Sequence, residues 1–143
     1  MLGGMDAADW LLLMVAARAE DPIDPVRLQK GLFLLAMEGG LPPAERYAFE
    51  PYSYGPMSRA IYRDVRRLET AGLVERVAVP GFGWRALRAT PAGVTRAGAF
   101  PAEAVEAVRG TRAVVDRRSF ADLLEYVYER YPEYATRSVF RRR

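Results

Sequence analysis

A helix pattern that is followed at once by a hairpin pattern constrains the fold of this chain more than any other feature. Ser58 to Ala71 places apolar and charged side chains at helical spacing, and Gly72 is a typical helix stop. Leu73 to Val79 and Trp84 to Ala89 flank the turn Pro80-Gly81-Phe82-Gly83, which predicts a β-hairpin. A helix beside a two-stranded hairpin is the winged-helix arrangement, so we expect that fold at the centre of the chain.

Caps, prolines and glycine stops predict further helices on both sides of this unit. The expected fold class is mainly α with a small β-hairpin: a winged-helix-like core over residues 1–100 and appended C-terminal helices over residues 101–143. We expect the two parts to form one compact unit. The additional helices are predicted over Asp6 to Glu20, Asp24 to Met37, Thr90 to Ala99, Pro101 to Asp116 and Phe120 to Tyr131.

The connector between the second and third helices, Leu41 to Tyr54, is long and rich in proline and aromatic residues. Its prolines exclude a helix, and its aromatic side chains are too many for a loose linker. We expect an ordered segment with a short strand at Tyr47 to Glu50 and a turn at Gly55-Pro56. The candidate partner-binding residues of this connector are Tyr47, Phe49, Tyr52 and Tyr54.

The chain contains no histidine and no cysteine. These absences remove the commonest zinc ligands, the commonest general base and the thiol nucleophile. The aspartate pairs Asp6/Asp9 and Asp21/Asp24 lie where helix caps belong, and no serine has a histidine to activate it. We therefore expect no enzymatic activity, no catalytic residue, no metal and no cofactor.

The apolar run from Trp10 to Ala17 is too short to span a bilayer, which takes ~20 residues. Asp6 and Asp9 precede it, where a signal peptide would carry positive charge, so we expect a cytoplasmic protein. The net charge of +3 permits nucleic-acid binding without requiring it. Lys30 is the only lysine, so the other basic residues are arginines. A GC-rich genome and a need for guanidinium groups are two explanations of this preference, and composition does not separate them.

The helix from Ser58 to Ala71 has one strongly basic side. Ile61, Val65 and Leu68 form its apolar stripe, and the opposite side is predicted to contact phosphates or guanine edges in duplex DNA. A solvated charged face is the alternative, with ion pairs between Asp64 and Arg67 and between Arg66 and Glu69. The candidate DNA-binding residues of this helix are Arg59, Tyr62, Arg63, Arg66 and Arg67.

The predicted hairpin adds Phe82 at its tip and Arg85 on its second strand as candidate DNA contacts. A winged-helix protein can lay such a tip along a groove of the duplex. In the alternative interpretation, Phe82 and Trp84 fold back onto the aromatic residues of the connector.

Short motifs in two overlapping segments of the chain resemble two protein families. Residues 68–93, with Gly72-Leu73-Val74 and Thr90-Pro91-Ala92-Gly93, resemble MarR-like and PadR-like winged-helix regulators, which implies DNA binding as a dimer. Residues 24–74 resemble the Panacea or SocA-like antitoxin family and its YwgA-like relatives, which implies a toxin-neutralising or adaptor protein. That second resemblance rests on Leu28-Gln29-Lys30, Leu32-Phe33, Tyr54-Gly55-Pro56, Tyr62, Leu68 and Gly72-Leu73.

The last predicted helix carries an apolar stripe that includes Phe120, Leu123, Leu124, Val127 and Tyr131. The stripe is longer than a terminal helix needs for docking on a small core, so we expect it to form part of a homodimer interface.

Two functions remain open at this point. The first is a non-enzymatic, dimeric winged-helix regulator that binds double-stranded DNA, in a toxin–antitoxin or defence locus. The alternative is a protein-binding adaptor or antitoxin that acts through the connector and the C-terminal helices. The distance between the two predicted helices, Gly39 to Met57, favours the alternative, because a helix-turn-helix joins its helices by only about 3–4 residues.

Overall fold

The computed structural model describes residues 4–81 and 83–140 of the chain. Within these ranges the protein is mainly helical with two small antiparallel hairpins, which confirms the expected fold class. The helices are α1 (Ala7–Ala16), α2 (Pro25–Glu38), α3 (Arg59–Thr70), α4 (Pro91–Ala97), α5 (Ala102–Asp116) and α6 (Phe120–Arg130). The strands are β1 (Glu50–Tyr52), β2 (Gly55–Met57), β3 (Val74–Ala78) and β4 (Arg85–Ala89), and short 3₁₀ turns cover Pro43–Glu45 and Pro132–Ala135.

The centre of the molecule has the winged-helix arrangement. Strands β3 and β4 pair in a register that places Val74 opposite Ala89, and α3 packs against β3. A third, very short strand was not expected: Ile23, between α1 and α2, pairs with Leu87 of β4. The Ile23 amide donates to the Leu87 carbonyl over 2.9 Å, and the Leu87 amide donates back over 2.8 Å. The hairpin is therefore tied to the start of α2 as well as to α3.

The connector differs from the prediction. Its strands are β1 and β2, so the strand predicted at Tyr47 to Glu50 is wrong, and Gly55-Pro56 belongs to a strand and not to a turn. Pro51 lies opposite Pro56 in the register. Because neither proline has an amide hydrogen, this hairpin can accommodate both only at a non-hydrogen-bonded pair. In the sequence the prolines served only to exclude a helix, and the pairing of Pro51 with Pro56 was not predicted.

Two clusters of buried apolar side chains form the core. The larger cluster joins α1 and α2 to α3, the wing and the start of α5, and includes Trp10, Leu11 and Ile61. The smaller cluster packs α6 and the 3₁₀ turn Pro132–Ala135 against α2, with Phe33 at its centre. The predicted C-terminal extension thus shares α2 with the winged-helix part.

This packing accounts for the apolar stripe of α6. Leu123, Leu124 and Val127 are fully buried within the chain, together with Tyr128. The stripe is longer than expected because it covers both α2 and the turn that follows it. The buried part of the stripe is therefore not available for a homodimer interface, whereas Phe120 at its start is 36% exposed. A homodimer stays a prediction.

Helix α1 ends at Ala16, four residues before the predicted end at Glu20. The carbonyl groups near its end are bound by Arg112 of α5, whose side chain is only 1% exposed. Among the described residues, no helix is both long and apolar enough to cross a membrane.

Candidate nucleic-acid interface

Helix α3 is two-sided in the way that its sequence pattern predicts. Ile61 and Val65 are 1% and 3% exposed and belong to the core. The opposite side is open to solvent from the first to the last turn. Its exposed residues are Arg59, Tyr62, Arg63, Arg66, Arg67 and Thr70, which we call the arginine face.

Most of the positive charge on the arginine face is not neutralised by neighbouring carboxylates. Arg67 forms an ion pair with Asp64 over 3.1 Å, as the solvated-face alternative predicted, although the Arg67 side chain remains 79% exposed. Within residues 4–81 and 83–140, the guanidinium groups of Arg59, Arg63 and Arg66 have no carboxylate oxygen within 4.0 Å. A shallow concave surface of about 580 Å³ lies over the second half of this face.

The predicted ion pair between Arg66 and Glu69 is absent. Glu69 instead accepts a hydrogen bond from Arg76 of β3 over 2.9 Å. This contact links α3 to the wing and leaves Arg66 directed to solvent. The charge run on α3 is thus divided: its acidic residues contact neighbouring elements, and its arginines lie on the outer side.

The wing places Arg85 on the flank of α3 that carries Tyr62, since both residues line a small cleft between α3 and β4. Arg85 is exposed. Arg88, on the same strand, donates to Glu75 over 2.6 Å. Arg85 therefore extends the basic surface and Arg88 does not. The candidate wing residue Phe82 lies outside the described residues.

Two contacts hold α3 in place, and sequence reasoning missed both. Gln29 of α2 binds the backbone of Ser58, the residue that precedes α3. On the other flank, the Tyr47 hydroxyl donates to Asp64 over 2.7 Å. The available signal for the first contact was the pair Gln29-Lys30, two polar residues in the otherwise apolar stretch 28–36 of α2.

The connector aromatics divide into two groups. Tyr47 and Phe49 are half-buried: Tyr47 contacts Asp64, and Phe49 packs edge-on against Phe33 with ring centroids 5.3 Å apart. These two residues support the fold and offer little surface to a partner. Tyr52 and Tyr54 are 45% and 46% exposed, so only this pair is accessible.

Burial lowers the pKa of Lys30, the single lysine of the chain, to about 7. Its side chain is 3% exposed, and its Nζ atom donates to the Pro56 carbonyl oxygen over 3.1 Å. Gly55 has a positive φ of 88° and lies so close to Lys30 that an added Cβ would come within 3.1 Å of the lysine Cε atom. Gln29 and Lys30 together fix β2 and the start of α3 on α2.

An apolar groove of about 640 Å³ lies on the same side of the molecule as the connector hairpin. Its floor is the first turn of α2, and three aromatic side chains from different segments line its walls. Tyr54 and Phe120 meet edge to face at 5.6 Å, and Trp84 is 51% exposed. Trp84 lines this groove together with Tyr54 of the connector, and Phe82, the other residue of the alternative interpretation of the wing, lies outside the described residues.

Comparison with protein-family models found no match, and comparison with curated proteins found no significant similarity. Among the described residues, no group of three or more acidic side chains is arranged to hold a metal ion. The geometry of the arginine face and of the aromatic groove therefore carries the functional interpretation.

Proposed function

We propose that this protein is a non-enzymatic regulator that binds double-stranded DNA through the arginine face of α3. The observation that carries the proposal is the set of three guanidinium groups, on Arg59, Arg63 and Arg66, that have no carboxylate partner in the described structure. Because like charges four residues apart destabilise a helix, an unpaired set on one face suits a polyanionic ligand better than it suits stability.

The long connector does not obstruct this face. Its hairpin packs on α2, α6 and the turn Pro132–Ala135, away from the exposed side of α3. The arginine residues remain exposed along the whole helix. Although α2 and α3 are far apart in sequence, they are in direct contact in the structure, because Gln29 of α2 is hydrogen-bonded to the backbone of Ser58, the residue before α3.

In the proposed complex, α3 lies in the major groove and the wing lies beside it. Guanidinium groups contact phosphates as charge-assisted donors, and one or two of them can form a bidentate pair with a guanine edge. Tyr62 can donate its hydroxyl to a phosphate, and Arg85 extends the contact along the backbone. A homodimer would read two half-sites.

The experiment compares two variants with the same net charge. In the first, Arg59, Arg63, Arg66 and Arg67 are replaced by alanine; in the second, the exposed residues Arg96, Arg109, Arg117 and Arg137 are replaced. Each protein is titrated with duplex DNA from the region upstream of its own gene. We expect the first variant to lose affinity and the second to bind as the wild type does. Equal affinities for both variants would contradict the proposal.

A second candidate function, a protein-binding adaptor or antitoxin, is favoured by the exposure of Tyr52 and Tyr54. Exposed aromatic side chains are common anchors of protein interfaces. Co-expression with the product of the neighbouring gene tests this candidate. A complex that survives size-exclusion chromatography, and that the double variant Tyr52→Ala/Tyr54→Ala loses, would favour the adaptor.

A further inference from the structure

The groove beside the wing has the dimensions and lining of a small-molecule site. Its volume of about 640 Å³ lies within the usual range of ligand pockets, roughly 300–1,000 Å³. Four segments of the chain build it. They are the first turn of α2, the connector hairpin at Tyr54, the loop before β4 at Trp84 and the start of α6 at Phe120. Three aromatic rings from distant parts of the sequence thus converge on one concave surface.

The aromatic residues indicate the shape of the ligand. Tyr54 and Phe120 meet at 63° between ring planes, so they form a corner, and Trp84 completes the wall. Flat rings stack on such surfaces or meet them edge on, and both arrangements are favourable. A planar aromatic molecule therefore fits this lining better than an aliphatic one.

The charges of the groove indicate the polarity of the ligand. Its two charged residues neutralise each other, since Arg27 binds Asp24 over 2.7 Å. The other terminal nitrogen of Arg27 donates to the Arg118 carbonyl oxygen over 2.9 Å. The groove therefore offers no net charge to an anion such as a phosphate, which separates it from the arginine face.

One polar group can orient a neutral ligand. The Ser119 oxygen accepts a hydrogen bond from the Asp122 amide over 3.1 Å, so its hydroxyl hydrogen is directed elsewhere. Ser119 lines the groove next to Phe120. A hydroxyl donor at the edge of an apolar pocket suits a ligand with a carbonyl or ring-nitrogen acceptor.

We propose that this groove binds a neutral, planar aromatic small molecule that carries a hydrogen-bond acceptor at its edge. Trp84 lies in the loop that joins β3 to β4, so an occupied groove would restrain the wing. That regulatory consequence rests on the proposed DNA binding; the binding site itself does not.

The test is an NMR titration of the two tryptophan indole N–H signals. Trp10 is 1% exposed and donates to Glu45 over 2.9 Å, so it is an internal reference for Trp84. The probe is coumarin, which is neutral and flat and has one carbonyl acceptor. Cyclohexanone and naphthalene-2-sulfonate are the controls, because the first lacks the aromatic ring and the second carries a negative charge.

We expect coumarin to shift the Trp84 signal with saturation and a Kd of about 1 mM or tighter, while the Trp10 signal stays in place. Phe120→Ala and Tyr54→Ala should each weaken binding about tenfold. Val94→Ala, at an exposed apolar residue of α4 outside the groove, should leave it unchanged. The thermal melting of each variant is measured first, and having two groove variants covers the case in which one fails to fold.

Several results would overturn the proposal: no saturable shift of Trp84, equal binding of either control compound, or affinities that the groove variants leave unchanged. The titration contains no DNA. Its failure would therefore remove the ligand site alone, and a failure of DNA binding would leave the ligand site standing.

Discussion

The side chain of Gln29 is hydrogen-bonded to both the backbone N–H and the backbone carbonyl of Ser58. The Gln29 amide nitrogen donates to the Ser58 carbonyl oxygen over 3.0 Å, and the Gln29 amide oxygen accepts from the Ser58 N–H over 2.9 Å. Both residues are only 3% exposed. A single side chain of α2 thereby satisfies two buried backbone groups at the start of α3.

Replacing Gln29 with methionine should lower the free energy of unfolding by about 1–3 kcal/mol. The buried Ser58 N–H loses its acceptor, and the Ser58 carbonyl keeps only the Ile61 N–H, over 3.3 Å, as a donor. Ser58→Ala is the matched control: Ser58 occupies the N-cap position of α3, but its side chain makes no capping bond. Its replacement should cost less than the ~1 kcal/mol typical of a lost cap. Urea denaturation of both variants checks this, and a larger loss for Ser58→Ala would contradict it.

The buried Lys30 should make stability depend on pH. The unfolded chain retains the Lys30 proton up to about its ordinary pKa of 10.5, whereas burial lowers the pKa to about 7 in the folded protein. Between these values the unfolded state binds more protons, so the free energy of unfolding rises with pH, by at most ~1.4 kcal/mol per pH unit.

Lys30→Met lacks this titrating group, and the chain has no histidine or cysteine that titrates in the same range. Urea denaturation at pH 7, 8 and 9 should therefore show the wild type gaining stability relative to the variant as the pH rises. Curves that stay parallel between wild type and variant would show that Lys30 does not lose its proton in the folded protein.

Tyr47 is expected to act on stability and not on partner binding. Burial is the main cause that raises the pKa of Tyr47, and the hydrogen bond to Asp64 is the second. The Tyr47 hydroxyl therefore stays protonated and donates at all pH values of interest. Tyr47→Phe should cost about 1–2 kcal/mol, since hydrogen bonds to charged groups are the stronger ones. Tyr52→Phe, at an exposed residue, should stay within about ±0.5 kcal/mol. Thermal melting distinguishes the two, and equal melting temperatures would be the contrary result.

Arg112 is expected to be essential for folding. Its guanidinium donates to Asp116 over 2.8 Å, to the Met14 carbonyl over 2.9 Å and to the Asp21 carbonyl over 2.5 Å. Arg112→Met would leave the partly buried Asp116 with one cation fewer and would leave the carbonyl groups at the end of α1 without this donor. We expect the free energy of unfolding to fall by about 3–5 kcal/mol. Arg109→Met, at an exposed arginine one turn earlier, should cost less than ~1 kcal/mol. Similar losses in denaturant titrations of both variants would contradict this role.

The sequence predicted the helices and the wing well because local signals define them. Asp24 with Pro25, Gly72, and Thr90 with Pro91 lie at helix boundaries in the structure as expected. The two sides of α3 also followed from spacing alone. Such features depend on neighbours within a few residues.

Long-range contacts could not be predicted in the same way. Arg112 resembled any charged residue on a helix until its position against the end of α1 was known. The aromatic groove combines residues 54, 84 and 120, which no local pattern connects. The α6 stripe was correctly identified as apolar, but only the position of α2 and the following turn shows what covers it.

The salt dependence of DNA binding tests the central claim most directly. Each arginine that contacts a phosphate releases counterions, so its removal lowers the slope of log Kd against log salt by ~0.9 in magnitude. We expect Arg59→Ala, Arg63→Ala and Arg66→Ala each to reduce the slope for duplex DNA, measured between ~50 and ~200 mM salt. Arg109→Ala should not. Slopes and affinities that are the same for all four variants and the wild type, or no binding by the wild type at ~50 mM salt, would show that the arginine face is ordinary solvated surface.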